Sequence, residues 1–449
     1  MRRRADSQKA GQSATAGQSA KQEIARHLPL TSASILPGSL LGLATTLVLA
    51  TTLLHSPLFN LQALAAETKP PVWSASWGAS PVFAVGKELC NQTVRMVVKV
   101  SCGGKLARLR LSNETGKDPV TVSNVHLALP GKDGAIIAGS DHKLTFGGET
   151  EAVIPAGAPL LSDPIELDVK PLSRLAVSLY LPRWTGPCVV HPLGRETGYI
   201  SKAGNFSGAD KFEGDSMDER YFLSEIDTAD NRPTEATIAT FGDSITDGYG
   251  ATLGANQRWP DLLSDRLNKG EKRYGVVNAA ISGNRLLHDL PACLFGPSGL
   301  SRFDRDVLSL PGLTHVIVLI GINDIGQSSC FKLEEQKILD TTLIAGYKQL
   351  IARAHAKGVK IIGGTLTPYE GTSFEDYYTP QGEITRQAVN KWIRESGEFD
   401  AVIDFDKILR DPQNPTRIKA QYDEGDHLHP SDAGYKAMAD AIDLTIFQN

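Results

Sequence analysis

The sequence predicts an α/β fold in which a parallel sheet of about five strands is covered by helices on both faces, preceded by an all-β region of sandwich or jelly-roll type. Two observations carry this. From Trp73 to about Asp230, short alternating segments are separated by glycine- and proline-rich turns. After Thr237 the pattern changes to short apolar runs that alternate with helix-length stretches. The first pattern is that of packed antiparallel sheets, and the second that of βα units in a parallel sheet.

In the first region, strands are expected at Thr93–Val100, Leu106–Asn113, Val120–Leu129 and Arg174–Pro182, with turns such as "LPGKDG" and "IPAGAP" between them. The polar run "TADNRPTEA", Thr228–Ala236, reads as a linker. Beyond it, strands are expected at Thr237–Phe241, Tyr274–Ile281, His315–Gly321, Val359–Thr365 and Ala401–Phe405. Helices are expected at Trp259–Leu267, Leu300–Leu308, Leu333–Ala356, Glu383–Glu395 and Asp432–Phe447. Ligands of such sheets bind beyond the carboxyl ends of the strands. That rim collects Gly242–Gly248, Ser282–Arg285 and Gly321–Gly326.

A chain of 449 residues suits two or three domains. We expect an export segment at 1–65, a β-sandwich-like accessory domain at 66–232 and an α/β domain at 233–449. The N-terminus is basic, an uncharged and mostly apolar run follows at Ile35–Leu54, and Ala63 and Ala65 are spaced like the small residues before a signal-peptidase cut. The run is also long enough for an uncleaved anchor, although Pro37 and Gly38 weigh against it. Either reading places the body outside the cytoplasm, in the periplasm or beyond the cell, with membrane contact only if the segment stays uncleaved. The net charge of −5 offers no field for nucleic acid. The five cysteines, Cys90, Cys102, Cys188, Cys293 and Cys330, lack metal-type spacing. In an oxidising compartment, Cys293 and Cys330 are the pair expected to be joined, since each follows a rim loop.

The stretch "TIATFGDSITDGYGAT" breaks from an apolar strand into small polar residues around Ser244. A serine there is often a cap or turn residue. It becomes a nucleophile only if a base takes its proton and a third group orients that base. "YDEGDHLHPSDAGY" offers both, Asp426 and His429, just before the last helix. The same run can be read as a solvated acidic loop, or as a metal site built on His427 and His429. Acyl transfer also needs donors aimed at an oxyanion. The Ser244 N–H, the Gly283 N–H in "AISGN" and the Asn323 side chain in "LIGIND" are the candidates on the rim. Taken singly, Gly283 reads as a turn glycine and Asn323 as a loop residue.

Taken together, "GDSITDG" at Gly242–Gly248, Gly283, "GIND" at Gly321–Asp324 and "DHLH" at Asp426–His429 resemble the four signature blocks of the SGNH (GDSL-type) hydrolases, in family order. Ile245 stands where the namesake motif has leucine. The resemblance implies a three-layer α/β/α, flavodoxin-like hydrolase domain without a metal or organic cofactor. It implies Ser244 as nucleophile, His429 as base then acid, Asp426 as its orienter, and an oxyanion hole of Ser244, Gly283 and Asn323. Asp243 and Asp324 are expected to bond loop backbone beside the site. "TVRMVVKVSCGG", "RWPDLL", "RFDRDVL" and "HPSDAGY" further resemble an exported, xylan-esterase-like branch of that family. That branch implies a serine esterase removing short acyl groups, acetyl above all, from an acylated carbohydrate. An acyltransferase on an exported polysaccharide, or a lipase or phospholipase, would use the same residues. Trp73, Trp77, Trp184 and Trp259 are candidates for stacking on sugar rings, against the commoner role of tryptophan in a core.

Overall fold

The protein is described here from a computed structural model that covers residues 70–211, 213–290, 295–333 and 338–448. The expected export segment at 1–65, and Cys293 with its expected bond to Cys330, lie outside the described residues. Among the described residues, no helix is long and apolar enough to cross a membrane.

Five parallel strands form the C-terminal sheet: Ala236–Gly242, Tyr274–Asn278, Leu313–Leu319, Lys360–Gly364 and Ala401–Ile403. Their spatial order, numbered along the chain, is 2-1-3-4-5, the flavodoxin-like arrangement. The order reverses beside the first strand, so the crevice at its carboxyl end is the topological switch point where ligands bind. Every residue of Ala236–Gly242 is buried, as a central strand covered on both faces requires.

The helices follow their local signals. Trp259–Leu267 carries Pro260 in its first turn and buries Trp259, Leu263 and Leu267, one residue per turn on a single face. Pro380–Glu395 starts three residues before the expected Glu383, because the Thr379 side chain accepts the Gly382 N–H and Pro380 opens the helix. Other ends differ from expectation. The long helix occupies Asp340–His355, with Leu339 still in extended backbone at ψ 151°; within the expected Leu333–Ala356, residues 334–337 lie outside the described residues. The last helix stops at Asp440, and Asp443 then caps a separate 3₁₀ turn, Leu444–Phe447. The expected helix at Leu300–Leu308 is an α-helical turn, Gly299–Phe303, that widens into a π turn, Asp304–Leu308.

The N-terminal region is rich in antiparallel strands. One sheet contains Val72–Gly78, Leu223–Asp230, Gly104–Ser112, Pro159–Leu161 and Ile165–Val169, and a larger one is centred on Gln92–Lys99, Arg174–Leu181 and Val120–Ala128. Both line one apolar core, with Leu109 and Ile226 from the first and Val94, Met96, Val122 and Leu179 from the second. The linker expected at Thr228–Ala236 is shorter. Leu223–Asp230 is a strand and Ala236 already begins the next, which leaves only 231–235 between them. The polar "LSEIDTAD" passes as a strand because its buried Asp227 pairs with Arg108 at 2.8 Å.

The two regions pack as part of one compact unit, Glu67–Asn449. Ile281, from the second, lies in the β core, and Ala75, from the first, lies in the α/β core. The Ala75 N–H donates to Pro311 O at 3.0 Å, and the Val276 N–H to Ser101 Oγ at 2.9 Å. Phe241 sits on the central strand with Phe303 edge-on at 5.2 Å and the Arg302 guanidinium 4.2 Å above its ring. Phe241→Ala is expected to cost about 3–5 kcal/mol in urea unfolding. A loss under about 1 kcal/mol would show that this packing does not hold the sheet.

Candidate active site

Ser244 opens a one-turn helix, Ser244–Asp247, directly after the central strand. Asp243 caps that turn by accepting the Ile245 N–H at 3.1 Å, and Gly248 ends it in the left-handed region at φ 97°. The turn therefore lifts the Ser244 side chain to the carboxyl edge of the sheet. The segment that follows is tied to the last helix: Asp432 accepts from the Thr252 N–H at 3.0 Å and its Oγ1 at 2.6 Å, and the Tyr435 hydroxyl donates to Tyr249 O at 2.6 Å.

Those ties carry the loop before the last helix over Ser244. His429 Nε2 lies 2.8 Å from Ser244 Oγ, and His429 Nδ1 lies 2.5 Å from Asp426 Oδ2. The other Asp426 oxygen accepts the N–H groups of Leu428 at 2.9 Å and His429 at 2.8 Å. Burial alone would raise the Asp426 carboxyl, but its bonds to His429 outweigh this and bring it down to about 2. An ionised carboxylate only accepts, so His429 Nδ1 is the donor to Asp426. Nε2 is thereby left as the acceptor for the Ser244 hydroxyl. Ser244 is 7% exposed and His429 4%.

Asn323 stands in the first turn of Ile322–Cys330, at the carboxyl end of the third strand. Its Oδ1 accepts from Gln327 Nε2 at 3.0 Å and the Tyr377 hydroxyl at 2.8 Å, and its Nδ2 donates to Asn284 O at 3.1 Å. These three bonds fix which way the amide faces. Gln327 also donates to Gly283 O at 2.9 Å, joining the two expected oxyanion elements. Gly283 has φ 74°, and a Cβ there would clash with the Phe295 ring, so only glycine fits. The Ser244 N–H, at the start of its helix, has no intrahelical acceptor.

The residues that brace this rim largely escaped the sequence reading. Arg302 is fully buried and donates to Gly242 O at 3.0 Å, Ala279 O at 2.6 Å and Asn284 Oδ1 at 3.0 Å, bridging the strand before Ser244 and the loop that holds Gly283. Asp306 at 3.1 Å balances its charge. Asp247 accepts the N–H and hydroxyl of Ser282 at 2.9 and 2.8 Å, and its other oxygen meets His191 Nε2 at 3.1 Å. Asp324 bonds loop backbone as expected, accepting the Leu286 and Leu287 N–H groups at 2.7 and 2.9 Å, whereas Asp243 bonds the first turn of the short helix. Burial pushes Asp243 up to about 7 and Asp324 up to about 6, with Asp324 close enough to add to the shift at Asp243.

With the site assembled on a 2-1-3-4-5 sheet, residues 240–437 also match the sequence profile of the GDSL-like Lipase/Acylhydrolase family. This region is a GDSL-like lipase/acylhydrolase domain. It is a carboxylic ester hydrolase of the serine-esterase type. The chain is similar to several solved structures. A GDSL-like lipase from Bacteroides thetaiotaomicron is 19% identical and covers 46% of this chain and 85% of its own, with a TM-score of 0.34. An aryl esterase of M. smegmatis is 16% identical over 46% of this chain and 95% of its own, with a TM-score of 0.37. A psychrotrophic esterase from Pseudoalteromonas sp. is 19% identical over 46% and 93%, with a TM-score of 0.33. No curated protein matches the chain.

Within the GDSL-like domain, Ser244, Asp426 and His429 come together, whereas His427 does not join them. His427 turns outward onto Asp423, in left-handed backbone at φ 58°, so the His-x-His pair does not converge on one point. Glu424 does converge, its carboxylate lying within 4.8 Å of the Asp426 and His429 ligand atoms. Both ring nitrogens of His429 are already bonded, to Asp426 and Ser244. Among the tryptophans, Trp259 and Trp77 are buried, Arg108 covers Trp73 at 4.1 Å, and Trp184 is 61% exposed. The rings beside His429 are instead Tyr249 at 4.3 Å and Phe374 at 6.3 Å, 41% and 43% exposed.

The lowered Asp426 carboxyl makes stability depend on pH. Its contribution is complete above the unfolded value near 4 and is lost as pH falls through about 2. At pH 7 Asp426→Asn is expected to melt below the native protein, and the gap to shrink between about pH 4 and pH 2 in thermal scans. A gap that stays constant over that range would contradict the assignment.

Proposed function

We propose that the chain is an exported serine esterase that removes short acyl groups, acetyl first among them, from a polysaccharide or oligosaccharide. The observation that carries the reading is the unbroken hydrogen-bond chain from Ser244 through His429 to Asp426. His429 takes the Ser244 proton as Oγ attacks the ester carbonyl, and the imidazolium that forms is held by Asp426. His429 then returns the proton to the leaving sugar hydroxyl. Water, activated by the same imidazole, releases the acid from the acyl-serine. The developing oxyanion is received by the N–H groups of Ser244 and Gly283 and by the Asn323 amide.

Two features support a short acyl group on a sugar. The Phe295 ring lies against Gly283, where it narrows the space beside the oxyanion donors. Tyr249 and Phe374 present exposed ring surface next to His429, the kind of surface on which a sugar ring stacks. The export segment read at 1–65 would bring the enzyme to such polymers.

Ser244→Ala is expected to abolish hydrolysis of a simple activated acetate ester while the circular dichroism spectrum and melting temperature stay native. Retained activity would defeat the proposal. Asn323→Ala is expected to lower kcat about 100- to 1,000-fold with the fold intact; a change in KM alone would remove Asn323 from the oxyanion hole. A panel of acyl esters run with acetylated xylan should favour acetyl and yield free acetate. Preference for long acyl chains, or acyl transfer to added oligosaccharide, would replace this substrate assignment.

A further inference from the structure

The strand Pro187–His191 of the β-rich region ends at the GDSL-like domain, and its last residue is buried there, 3% exposed. His191 Nδ1 lies 2.9 Å from Ser80 O, and Nε2 lies 3.1 Å from both Leu193 O and Asp247 Oδ1. Carbonyl oxygens only accept, so Nδ1 must carry a proton. A bare Nε2 lone pair would then face a carbonyl and a carboxylate together. Both nitrogens therefore donate, which makes His191 an imidazolium paired with Asp247. Burial by itself would lower its pKa, but the Asp247 charge and bond more than offset this and leave it raised.

The second Asp247 oxygen holds both the N–H and the hydroxyl of Ser282, whose neighbour Gly283 is one of the proposed oxyanion donors. Asp247 also feels Arg258 and Arg302, but these are bonded to Asp261 and Asp306. Arg220, paired with His191 across the strands, donates to the carbonyls of Asp218, Glu219, Gly194 and Glu196. His191 is thus the cation that bonds Asp247 directly.

We propose that His191 is a positioning residue of the esterase site: from the β-rich region it holds Asp247, which fixes Ser282 and thereby aims the Gly283 N–H at the oxyanion. The β-rich region then completes the catalytic apparatus, whatever else it binds. The inference rests on the esterase reading above, and its test separates the two.

Two near-isosteric variants distinguish the two ends of the imidazole. In His191→Gln the side-chain amide reaches the Nε2 position and can still donate to Asp247. In His191→Asn it reaches only the Nδ1 position and can donate to Ser80 O. With an activated acetate ester, His191→Asn should lower kcat roughly 100-fold at unchanged KM, and His191→Gln should recover most of the loss. Native kcat in both, equal losses in both, or the reverse order would overturn the proposal, the reverse order pointing to a structural role through Ser80. Should neither variant fold, Asp247→Asn decides, since it keeps an oxygen for Ser282 but turns an N–H toward His191: a fall in kcat at constant KM upholds the relay, and unchanged kcat overturns it. Activity surviving Ser244→Ala would defeat the esterase reading itself. An inactive Ser244→Ala beside a fully active His191→Asn would defeat only this inference.

Discussion

The contact between Ser244 Oγ and His429 Nε2, 2.8 Å long, joins side chains 185 residues apart in sequence, and the proposed chemistry depends on it. No local structure could produce it. The central strand delivers Ser244 to the carboxyl edge of the sheet, while Asp432 and Tyr435 grip the segment after Ser244 and so bring their own loop, with His429, into place. Asp426 then fixes the tautomer that leaves Nε2 ready to accept a proton. Each link is a bond between a rim loop and a rigid element. Such bonds hold the serine hydroxyl in place for the attack proposed above.

Holding this geometry requires charge in places that water does not reach. Arg302, Asp306, Asp247 and His191 are buried around the strand end and the Gly283 loop, with Arg302 bonded to Asp306 and His191 to Asp247. Such pairs contribute little net stability compared with apolar packing, because desolvation offsets their attraction. Their hydrogen bonds are directional, however, and they hold Gly242 O, Ala279 O, Asn284 and Ser282 in one arrangement. Preorganised donors are what an oxyanion site needs, since they do not have to reorient as charge develops.

The five parallel strands were legible in the sequence because buried strands are short apolar runs, and their positions agree with expectation to within a few residues. The residues of the hydrogen-bonded chain were legible because a proposed nucleophile, base and orienter must be of particular chemical types. What stayed hidden follows from the same physics. Thr228–Asp230 reads as the start of a polar linker, yet it closes a buried strand, Leu223–Asp230, whose Asp227 meets Arg108 on a neighbouring strand more than one hundred positions away. The start of the helix at Asp340 depends on the extended backbone at Leu339, which hydrophobic periodicity does not show. Arg302 lay within a quoted motif, but its contacts to two separate segments exist only after folding. His191 belongs to no motif. Its partner Asp247 was visible as the second acid of "GDSITDG", and a buried acid there calls for a cation without saying from where.

The central claim is that the Ser244 oxygen, activated by His429, is the atom that attacks the ester. The most direct measurement is peptide mass spectrometry after reaction with an alkyl phosphonate ester, which stops at the stage that resembles the tetrahedral intermediate. The account predicts one phosphonate per chain, on the peptide that contains Ser244, and no adduct in a folded His429→Ala variant. A stoichiometric adduct on a different residue, or equally fast labelling without His429, would contradict it.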